Sequence, residues 1–323
     1  MKLLVTGGAG YIGSICAKLL VAAGHEVAVL DNLERGHREA VAPEARLLVA
    51  DLLDAERVTD ALAEGFDGVL HFAALALVAE SVEHPERYYR TNVGGTLNLL
   101  EAMSAAGVPR LVFSSTCAVY GQPDTVPIDE QAPTRPATSY GASKLAVDHM
   151  IRDVCAARRI GAVSLRYFNV AGASGELGED HEPETHLIPN VLGTLLGKRE
   201  HVDVYGTDYP TPDGTAVRDY IHVEDLIEAH LLALGAVTPG EHQVLNLGNG
   251  DGYSVREVIR AAEEVTGQEI PAVERPRRPG DPPMLVAASE RISSALGWAP
   301  RRALTDMIAD AWAFAQAHPH GYS

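Results

Sequence analysis

The chain has 323 residues, of which 46% are hydrophobic and 22% are charged, and its formal net charge is −18. This length gives room for two domains or one large α/β unit, and the composition is that of an ordinary globular protein. The negative charge disfavours broad binding to a nucleic-acid backbone, so an anionic ligand would need local positive charge.

Short apolar runs alternate with helical patterns through the first half of the chain. Segments such as "YIGSICAKLLVAAG" and "GGTLNLLEAMSAAG" have apolar residues at helical spacing and a glycine near their end. The alternation predicts an α/β fold with a doubly wound, parallel Rossmann sheet, whose strands are apolar because helices cover both faces. The predicted strands are "KLLVT", "EVAVLD", "RLLVAD", "GVLHFAA", "RLVFSS" and "AVSLRYFN".

After about residue 170 this rhythm weakens. The stretch "GASGELGEDHEPETH" is typical of a long irregular connection. We predict a first domain over residues 1–170 and a smaller α/β lobe over 171–323, with segments near 215–250 able to pack back on the first domain. Helical patterns in the second half cover 187–198, 223–235, 254–266 and 303–317.

The first strand leads directly into a glycine-rich turn, "TGGAGYIG". Gly8, Gly10 and Gly13 fit the spacing G-x-G-x-x-G, and Gly7, Gly10 and Gly13 fit the related G-x-x-G-x-x-G. Without Cβ atoms the turn can be tight, and a pyrophosphate can approach the N–H groups at the helix N-terminus. Because the motif lies in a strand–turn–helix–strand context, it predicts a dinucleotide site.

The second strand ends in a carboxylate, Asp31, 18 residues after Gly13. A carboxylate at this position accepts hydrogen bonds from an adenosine ribose and repels a 2′-phosphate. Arg35 and Arg38 follow and would favour a phosphate, but they belong to a loop and not to the strand end. We therefore predict NAD and not NADP.

Later in the chain, "SYGASK" places Tyr140 and Lys144 four residues apart, on one face of a helix. They are either a solvated surface pair or a working pair, in which Lys144 and a bound nicotinamide favour the phenolate and make Tyr140 a base. Thr116 ends a predicted strand, where its hydroxyl either caps a turn or faces the same cleft.

Several motifs together resemble the extended short-chain dehydrogenase/reductase family. They are "TGGAGYIG", "LDN" at 30–32, "FSSTCAVYG" at 113–121, "YGASK" at 140–144 and "LRYFNVAGA" at 165–173. The stretch "GTDYPTPDGTAVRDYIHVEDL" at 206–226 and the terminal "HPHGYS" narrow the resemblance to the UDP-glucose 4-epimerase (galactose epimerase) family, over essentially the whole chain.

The resemblance implies an isomerase that interconverts UDP-glucose and UDP-galactose. Tyr140 would take the proton of the sugar 4-OH while a hydride passes from C4 to NAD, and the 4-keto sugar would turn and regain the hydride on its other face. The lobe over 171–323 would then bind the UDP-sugar. A homodimer is also implied, formed through helices near 84–106 and 140–158.

The same resemblance assigns site residues by motif. Catalysis is assigned to Thr116, Tyr140 and Lys144. Cofactor binding is assigned to Gly7, Gly10, Tyr11, Ile12, Gly13, Asp31, Asn32, Asp51, Leu52, Phe72, Ala73, Ala74, Asn92, Tyr140, Lys144 and Phe168. Substrate binding is assigned to Thr116, Asn169, Tyr205, Arg218, Arg278, Asp281 and Leu285. Three of these have simpler explanations: Asn92 as a helix-surface amide, Asp51 as a helix N-cap and Arg278 as a solvated loop charge.

Two positions depart from the family pattern. Ala76 stands where the family usually has a lysine that helps to hold the cofactor, which implies weaker retention of NAD. Leu285 stands where a bulky tyrosine usually lies beside the sugar 2-substituent. The smaller side chain makes UDP-GlcNAc and UDP-GalNAc alternative substrates.

Two other functions fit the same fold. A nucleotide-sugar 4,6-dehydratase needs an added acid and base, normally an Asp-Glu pair after the strand-end threonine, but here Cys117 and Ala118 follow Thr116. A non-catalytic NAD-sensing regulator could lose the tyrosine, lysine or hydroxyl, and all three persist here.

Metal, membrane and disulfide chemistry are not expected. The 13 histidines form no HExxH pair, so no metal site is predicted, and His222 is interpreted as structural. Cys16, Cys117 and Cys155 show no CxxC spacing, which favours a reducing cytoplasm. The N-terminus reaches "TGG" after three apolar residues, far short of a signal peptide's apolar core, and no apolar run approaches the roughly 18 residues of a membrane helix.

Overall fold

The computed structural model describes residues 1–278 and 280–322, which form two compact units. The first contains Met1–Gly121, Thr134–Arg166 and Ile227–Leu245, and the second contains Gln122–Pro133, Tyr167–Leu226 and the described residues from Asn246 onward. The strands are β1 (Lys2–Thr6), β2 (Glu26–Asp31), β3 (Arg46–Val49), β4 (Gly68–His71), β5 (Arg110–Thr116), β6 (Gly161–Tyr167), β7 (Asn169–Ala171), β8 (Val202–Tyr205), β9 (Val217–His222), β10 (His242–Leu247), β11 (Gly252–Ser254), β12 (Ala272–Arg275) and β13 (Met284–Leu285).

Helices follow most of the strands. The α-helices are α1 (Tyr11–Ala22), α2 (Ala55–Leu62), α3 (Val78–Glu83), α4 (Pro85–Tyr88), α5 (Gly95–Ala106), α6 (Ser139–Arg158), α7 (Leu187–Leu195), α8 (Val223–Ala236), α9 (Val255–Thr266), α10 (Glu290–Leu296) and α11 (Leu304–Ala317). A π-helical segment covers Tyr89–Gly94, and short 3₁₀ turns cover Arg38–Ala40 and Cys117–Val119.

The first unit is built on a seven-stranded sheet with the order β10-β6-β5-β4-β1-β2-β3. Neighbouring strands from β5 through β4, β1 and β2 to β3 run parallel. Residues one helical turn apart on α5, Leu99 and Met103, and on α6, Val147 and Ile151, pack in the core with strand residues such as Leu4. The predicted α/β fold with a parallel central sheet is confirmed.

The second unit has β9 at the centre of a small sheet. Strands β11, β7 and β13 each pair with β9, and β8 pairs separately with β12. Helices α7, α9 and α11 contribute Val191, Val258 and Met307 to a second apolar core. Tyr220 of β9 belongs to the same core.

The predicted helical patterns of the second half correspond to α7, α8, α9 and α11 within about three residues at each end. Helix α10 and the strands β7–β13 were not predicted. Among residues 1–278 and 280–322, no helix has the length and apolar character needed to cross a membrane.

Candidate active site

The turn between β1 and α1 is too tight for side chains at two of its glycines. Gly7 has φ +71°, and a Cβ there would lie 2.5 Å from the backbone nitrogen of Ala73. A Cβ on Gly13 would lie 2.2 Å from the carbonyl oxygen of Gly7. Helix α1 begins at Tyr11 after Gly10, which offers no side chain as a cap. The result is a backbone cradle at a helix N-terminus, and it fits a pyrophosphate.

The carboxylate of Asp31 is fixed against this turn. It is buried and accepts hydrogen bonds from the backbone N–H groups of Ala9, at 3.0 Å, and Leu33, at 2.8 Å. A carboxylate has about four lone-pair sites, so it can still accept from a ribose hydroxyl. The end of β2 thus presents a preoriented acceptor beside the cradle.

The residues expected near the adenosine form a polar pair. Asn32 Nδ2 donates to Asp51 Oδ2 at 2.9 Å, and Asp51 Oδ1 accepts from the backbone N–H of Leu53 at 2.8 Å. The N-cap of α2 is Asp54, which accepts from the Arg57 N–H. Asp51 is therefore not needed as the helix cap and is held by Asn32 instead. Leu52, which directly follows Asp51 in the sequence, is buried in the core.

The arginine that would favour a 2′-phosphate is already engaged. Arg35 Nη2 donates to both carboxylate oxygens of Glu80, at 3.0 and 3.1 Å. Arg87 also pairs with Glu80 and with Glu34. This acidic network occupies Arg35 and supports NAD over NADP.

Asn92 is buried and not a surface amide. Its Oδ1 accepts from the Leu75 N–H at 2.9 Å, and its Nδ2 donates to the Leu75 carbonyl at 3.1 Å and to Ser143 Oγ at 3.0 Å. Leu75 ends the half-buried stretch of Phe72, Ala73 and Ala74 that follows β4. Asn92 therefore ties this stretch to α6, and Ala76 lies exposed just beyond it.

Helix α6 is seated closely on the end of β5. The Thr138 hydroxyl accepts from the Gly141 N–H at its N-terminus, and a Cβ on Gly141 would lie 2.5 Å from the Ala118 carbonyl oxygen. This contact brings Tyr140 into a side-chain hydrogen bond with Thr116. Thr116 Oγ1 also accepts from the Ala118 N–H at 3.1 Å, so its own proton can be donated to the phenol oxygen. Thr116 thus caps a turn and contacts Tyr140.

Lys144 lies one turn after Tyr140 and is 3% exposed. Its Nζ donates to the Ser114 carbonyl at 2.8 Å and lies 4.8 Å from the centre of the Phe113 ring. Tyr140 and Lys144 are therefore not a solvated surface pair. The pair is fixed against the carboxyl end of β5.

Burial pushes both groups of this pair toward their neutral forms. Desolvation raises the pKa of Tyr140 to about 12, against the effect of the Thr116 hydrogen bond. Desolvation lowers the pKa of Lys144 to about 7, against the attraction of Asp148. The protein alone therefore does not give Tyr140 the lowered pKa expected of a base, and added positive charge nearby would lower that pKa.

Two buried residues that the sequence analysis missed support the pair. Asp148, a further turn along α6, accepts from Arg166 Nε and Nη2, at 3.0 and 2.8 Å, and from Ser115 Oγ at 3.2 Å. The spacing i, i+4, i+8 places Tyr140, Lys144 and Asp148 on one face of α6, and it could have indicated Asp148 from the sequence. The other residue, His71 at the end of β4, is the centre of a hydrogen-bonded chain.

His71 is neutral and fully hydrogen-bonded. The Thr96 hydroxyl donates to the Asn92 carbonyl, so His71 Nε2 donates to Thr96 Oγ1, at 2.8 Å, and Nδ1 accepts from Thr6 Oγ1, at 2.6 Å. Desolvation, with a smaller effect of Lys144, lowers the pKa of His71 to about 3. This chain fixes the ends of β1 and β4 beside the cradle.

Most residues assigned to the substrate lie together in the second unit. Arg218 on β9 pairs with Asp281, with Nη2 to Oδ1 at 2.5 Å, and Leu285 on β13 is in register with Arg218. The Arg278 guanidinium lies 4.0 Å above the Tyr205 ring, so it is more ordered than a solvated loop charge. Asn169 begins β7, directly after the buried Phe168.

The sequence analysis missed Asp219, which supports Arg218 from the next position on β9. It is fully buried and accepts from three backbone N–H groups, those of Asn249, Gly250 and Ala287, at 2.7, 3.1 and 3.1 Å. Asp219 therefore fixes the loop after β10 and the segment after β13 around the arginine. An acidic residue beside an arginine in "VRDY" gave no reason to expect this role.

Comparison with known proteins places this geometry in context. Residues 3–248 match the family model described as the NAD dependent epimerase/dehydratase family. Curated UDP-glucose 4-epimerases of Corynebacterium glutamicum and Streptomyces lividans are 54% and 55% identical, covering 98% and 99% of this chain and 96% and 98% of theirs. A crystal structure of UDP-glucose-4-epimerase from Stenotrophomonas maltophila, with bound NAD and formylated UDP-arabinopyranose, has a TM-score of 0.95 at 40% identity and covers 99% of both chains.

The neutral, buried His71 predicts a loss of stability in mild acid. Its pKa is about 3 when folded and 6.5 ordinarily, so only the unfolded chain gains this proton as the pH falls below about 6.5. Its contribution to stability is complete above pH 6.5 and declines toward pH 3, by at most about 1.4 kcal/mol per pH unit. Denaturant unfolding at several pH values between 7 and 5 should show a shallower pH dependence for His71→Gln than for the unchanged chain.

A matched control for this measurement is His37→Gln, which changes a histidine outside the buried chain. We expect it to keep the original pH dependence. The prediction would be contradicted if the free energy of unfolding changed equally with pH in the His71 variant and in the unchanged chain.

Proposed function

Because this chain belongs to the NAD dependent epimerase/dehydratase family, we propose that it interconverts UDP-glucose and UDP-galactose by oxidation and re-reduction at the sugar C4. The observation that carries the proposal is the hydrogen bond between Thr116 and Tyr140, with Lys144 one helical turn further on. The names of the curated relatives support the choice of substrate.

NAD is the cofactor, and the residues of the first unit fit it. Gly7 and Gly13 leave a cradle that any Cβ would fill, and Asp31 offers a fixed acceptor for the ribose. When bound, NAD would supply reversible hydride transfer to and from C4, so the reaction would consume no external oxidant. We propose that NAD is held less firmly than in relatives with a lysine at the position of Ala76.

Tyr140 acts as the base in this proposal. It takes the proton of the 4-OH and later returns it to the oxygen of the 4-keto sugar, while the Thr116 hydroxyl holds the same oxygen. Lys144, held by the Ser114 carbonyl, stabilises the phenolate. Since burial opposes ionisation of both side chains, the positive charge of the bound cofactor completes the electrostatic balance of the site.

The diphosphate of the substrate is assigned to Arg218 and Arg278. Guanidinium groups bind phosphate oxygens in pairs of hydrogen bonds, and the arginines supply local positive charge in a chain of net charge −18. Asn169, Tyr205 and Asp281 are proposed to contact the same nucleotide. Rotation about the bond between the sugar and the diphosphate, while UDP stays bound, would then present either face of the keto sugar to the hydride.

The reaction class is tested by incubating the purified protein with UDP-galactose and no added oxidant. We expect UDP-glucose to accumulate, and Tyr140→Phe to lose roughly 10²- to 10⁴-fold in kcat, because the general base is removed. The NAD content, read from the absorbance spectrum, should stay unchanged. Tyr89→Phe, which removes the hydroxyl of an exposed tyrosine, is the control.

Two outcomes would count against this function. Near-normal turnover by Tyr140→Phe would reject the proposed base. An unchanged chain that carries NAD but converts no UDP-sugar would favour the NAD-sensing regulator. A 4,6-dehydratase is disfavoured because Cys117 and Ala118 form a 3₁₀ turn after Thr116 and supply neither acid nor base.

UDP-GlcNAc and UDP-GalNAc are the second candidate substrates, and Leu285 is the observation that favours them. If Leu285 widens the pocket, the unchanged chain should epimerise UDP-GalNAc, and Leu285→Tyr should lower kcat/KM for that sugar about 10-fold or more relative to UDP-galactose. Met284→Leu is the neighbouring control and should leave kcat/KM for UDP-GalNAc relative to UDP-galactose unchanged. Complete inactivity of the unchanged chain on UDP-GalNAc would reject the wider pocket.

We also propose a homodimer in the cytoplasm, formed through the helical faces near 84–106 and 140–158. Tyr89 and Leu97 expose 45% and 41% of their surface on the first of these segments, and none of the three cysteines is in a disulfide. Leu97→Glu should convert a dimer to a monomer in sedimentation equilibrium, since a charge there would be desolvated. Leu232→Glu, at a comparably exposed leucine on α8, should stay dimeric, and a dimeric Leu97→Glu would contradict the assignment.

A further inference from the structure

Four side chains with metal-binding atoms meet in the loop between β7 and α7. They are Glu179, His181, Glu184 and His186, and one ligand atom from each lies within 4.8 Å of all the others. His186 Nδ1 is 2.7 Å from an oxygen of Glu179 and 3.0 Å from one of Glu184. His181 Nδ1 is 3.1 and 3.8 Å from oxygens of the same carboxylates. Both imidazoles therefore direct the same ring nitrogen toward the same pair of carboxylates.

These separations are close to those in the shell of a tetrahedral ion, and small side-chain shifts would bring them to it. Zinc bonds of about 2.0–2.2 Å to imidazole nitrogen and carboxylate oxygen place neighbouring ligand atoms about 3.3–3.6 Å apart. The four measured separations, 2.7 to 3.8 Å, lie on both sides of this range. Two neutral imidazoles and two carboxylates also carry a total charge of −2, which a divalent cation neutralises.

The burial of the cluster requires such neutralisation. The Glu179 side chain is 9% exposed and that of Glu184 is 21% exposed. Two partly buried carboxylates this close to one another repel, so they need positive charge between them. That charge is either a metal ion or a proton on each imidazole.

We propose that Glu179, His181, Glu184 and His186 bind one divalent transition-metal ion, with zinc preferred. Imidazole and carboxylate suit zinc, which also binds such sites more tightly than manganese or iron(II) does. Because four protein ligands complete a tetrahedral shell, the site is structural and not catalytic. The sequence analysis predicted no metal site because it sought HExxH, whereas these ligands follow the spacing E-x-H-x-x-E-x-H in a loop.

The ion would stabilise a loop on which the C-terminal segment rests. Asp180, between two of the ligands, accepts from the Tyr322 N–H at 3.0 Å. Gly178 and the Tyr322 hydroxyl exchange two hydrogen bonds, at 2.9 and 3.1 Å, and the Tyr322 ring lies 5.6 Å from that of Phe314 on α11. Fixing the loop thereby fixes the chain end against α11.

The test uses the full chain, stripped with chelator and returned to zinc chloride. We expect about one zinc per chain by elemental analysis and a Tm several degrees higher with zinc than without it. Cobalt(II) should give the intense visible absorption of a tetrahedral site. His181→Ala and His186→Ala should each weaken zinc binding at least about 100-fold, and Glu184→Gln, which preserves shape, should weaken it as well.

The matched control is His201→Ala, which removes a half-buried histidine beside Asp203, 3.4 Å away, in the same unit. We expect it to bind zinc as the unchanged chain does. Less than a tenth of an equivalent of zinc, together with an unchanged Tm on zinc addition, would overturn the proposal in favour of protonated imidazoles. Full binding by Glu184→Gln and both alanine variants would place any zinc elsewhere and would also overturn it.

Discussion

The catalytic chemistry depends on the close seating of α6 on the end of β5. Gly141 is the contact point, because any side chain there would run into the Ala118 carbonyl. Once the helix is at this distance, one face of it meets the strand end residue by residue: Tyr140 meets Thr116, Lys144 meets the Ser114 carbonyl, and Asp148 meets Ser115. A shift of α6 along its axis would break all three contacts together, so Tyr140, Lys144 and Asp148 are positioned as one unit.

The protein alone favours the neutral forms of Tyr140 and Lys144 at the end of β5. Desolvation favours neutral Tyr140 and neutral Lys144, and desolvation, with a smaller effect of Lys144, also favours neutral His71. Asp148 and Arg166 pair with each other inside the first unit. The consequence is a site whose ionisation responds strongly to an entering cation, since little else in that low-dielectric region competes with it.

The sequence predicted those parts of the molecule that depend on local pattern. The strands of the first unit are apolar throughout because both faces are covered, so β1 and β2 could be located from "KLLVT" and "EVAVLD" with their observed bounds. Strands β7, β11 and β13 have three, three and two residues, and pairing with β9 alone makes them strands. Motifs singled out Thr116, Tyr140 and Lys144, and helical spacing could have added Asp148, but His71 and Asp219 are common residue types whose roles arise only from burial and distant partners.

The positive charge in the second unit illustrates how an acidic chain can serve an anionic ligand. Arg218 is already paired with Asp281, and the Asp281 N–H donates to the Arg278 carbonyl, so the two arginines and the carboxylate form one connected group. A diphosphate bound at Arg218, as proposed, would share or replace Asp281 there, which would lower the net gain from each phosphate contact. In return, the carboxylate keeps the guanidinium oriented and limits binding of stray anions, so selectivity rests on the nucleotide as a whole and not on charge alone.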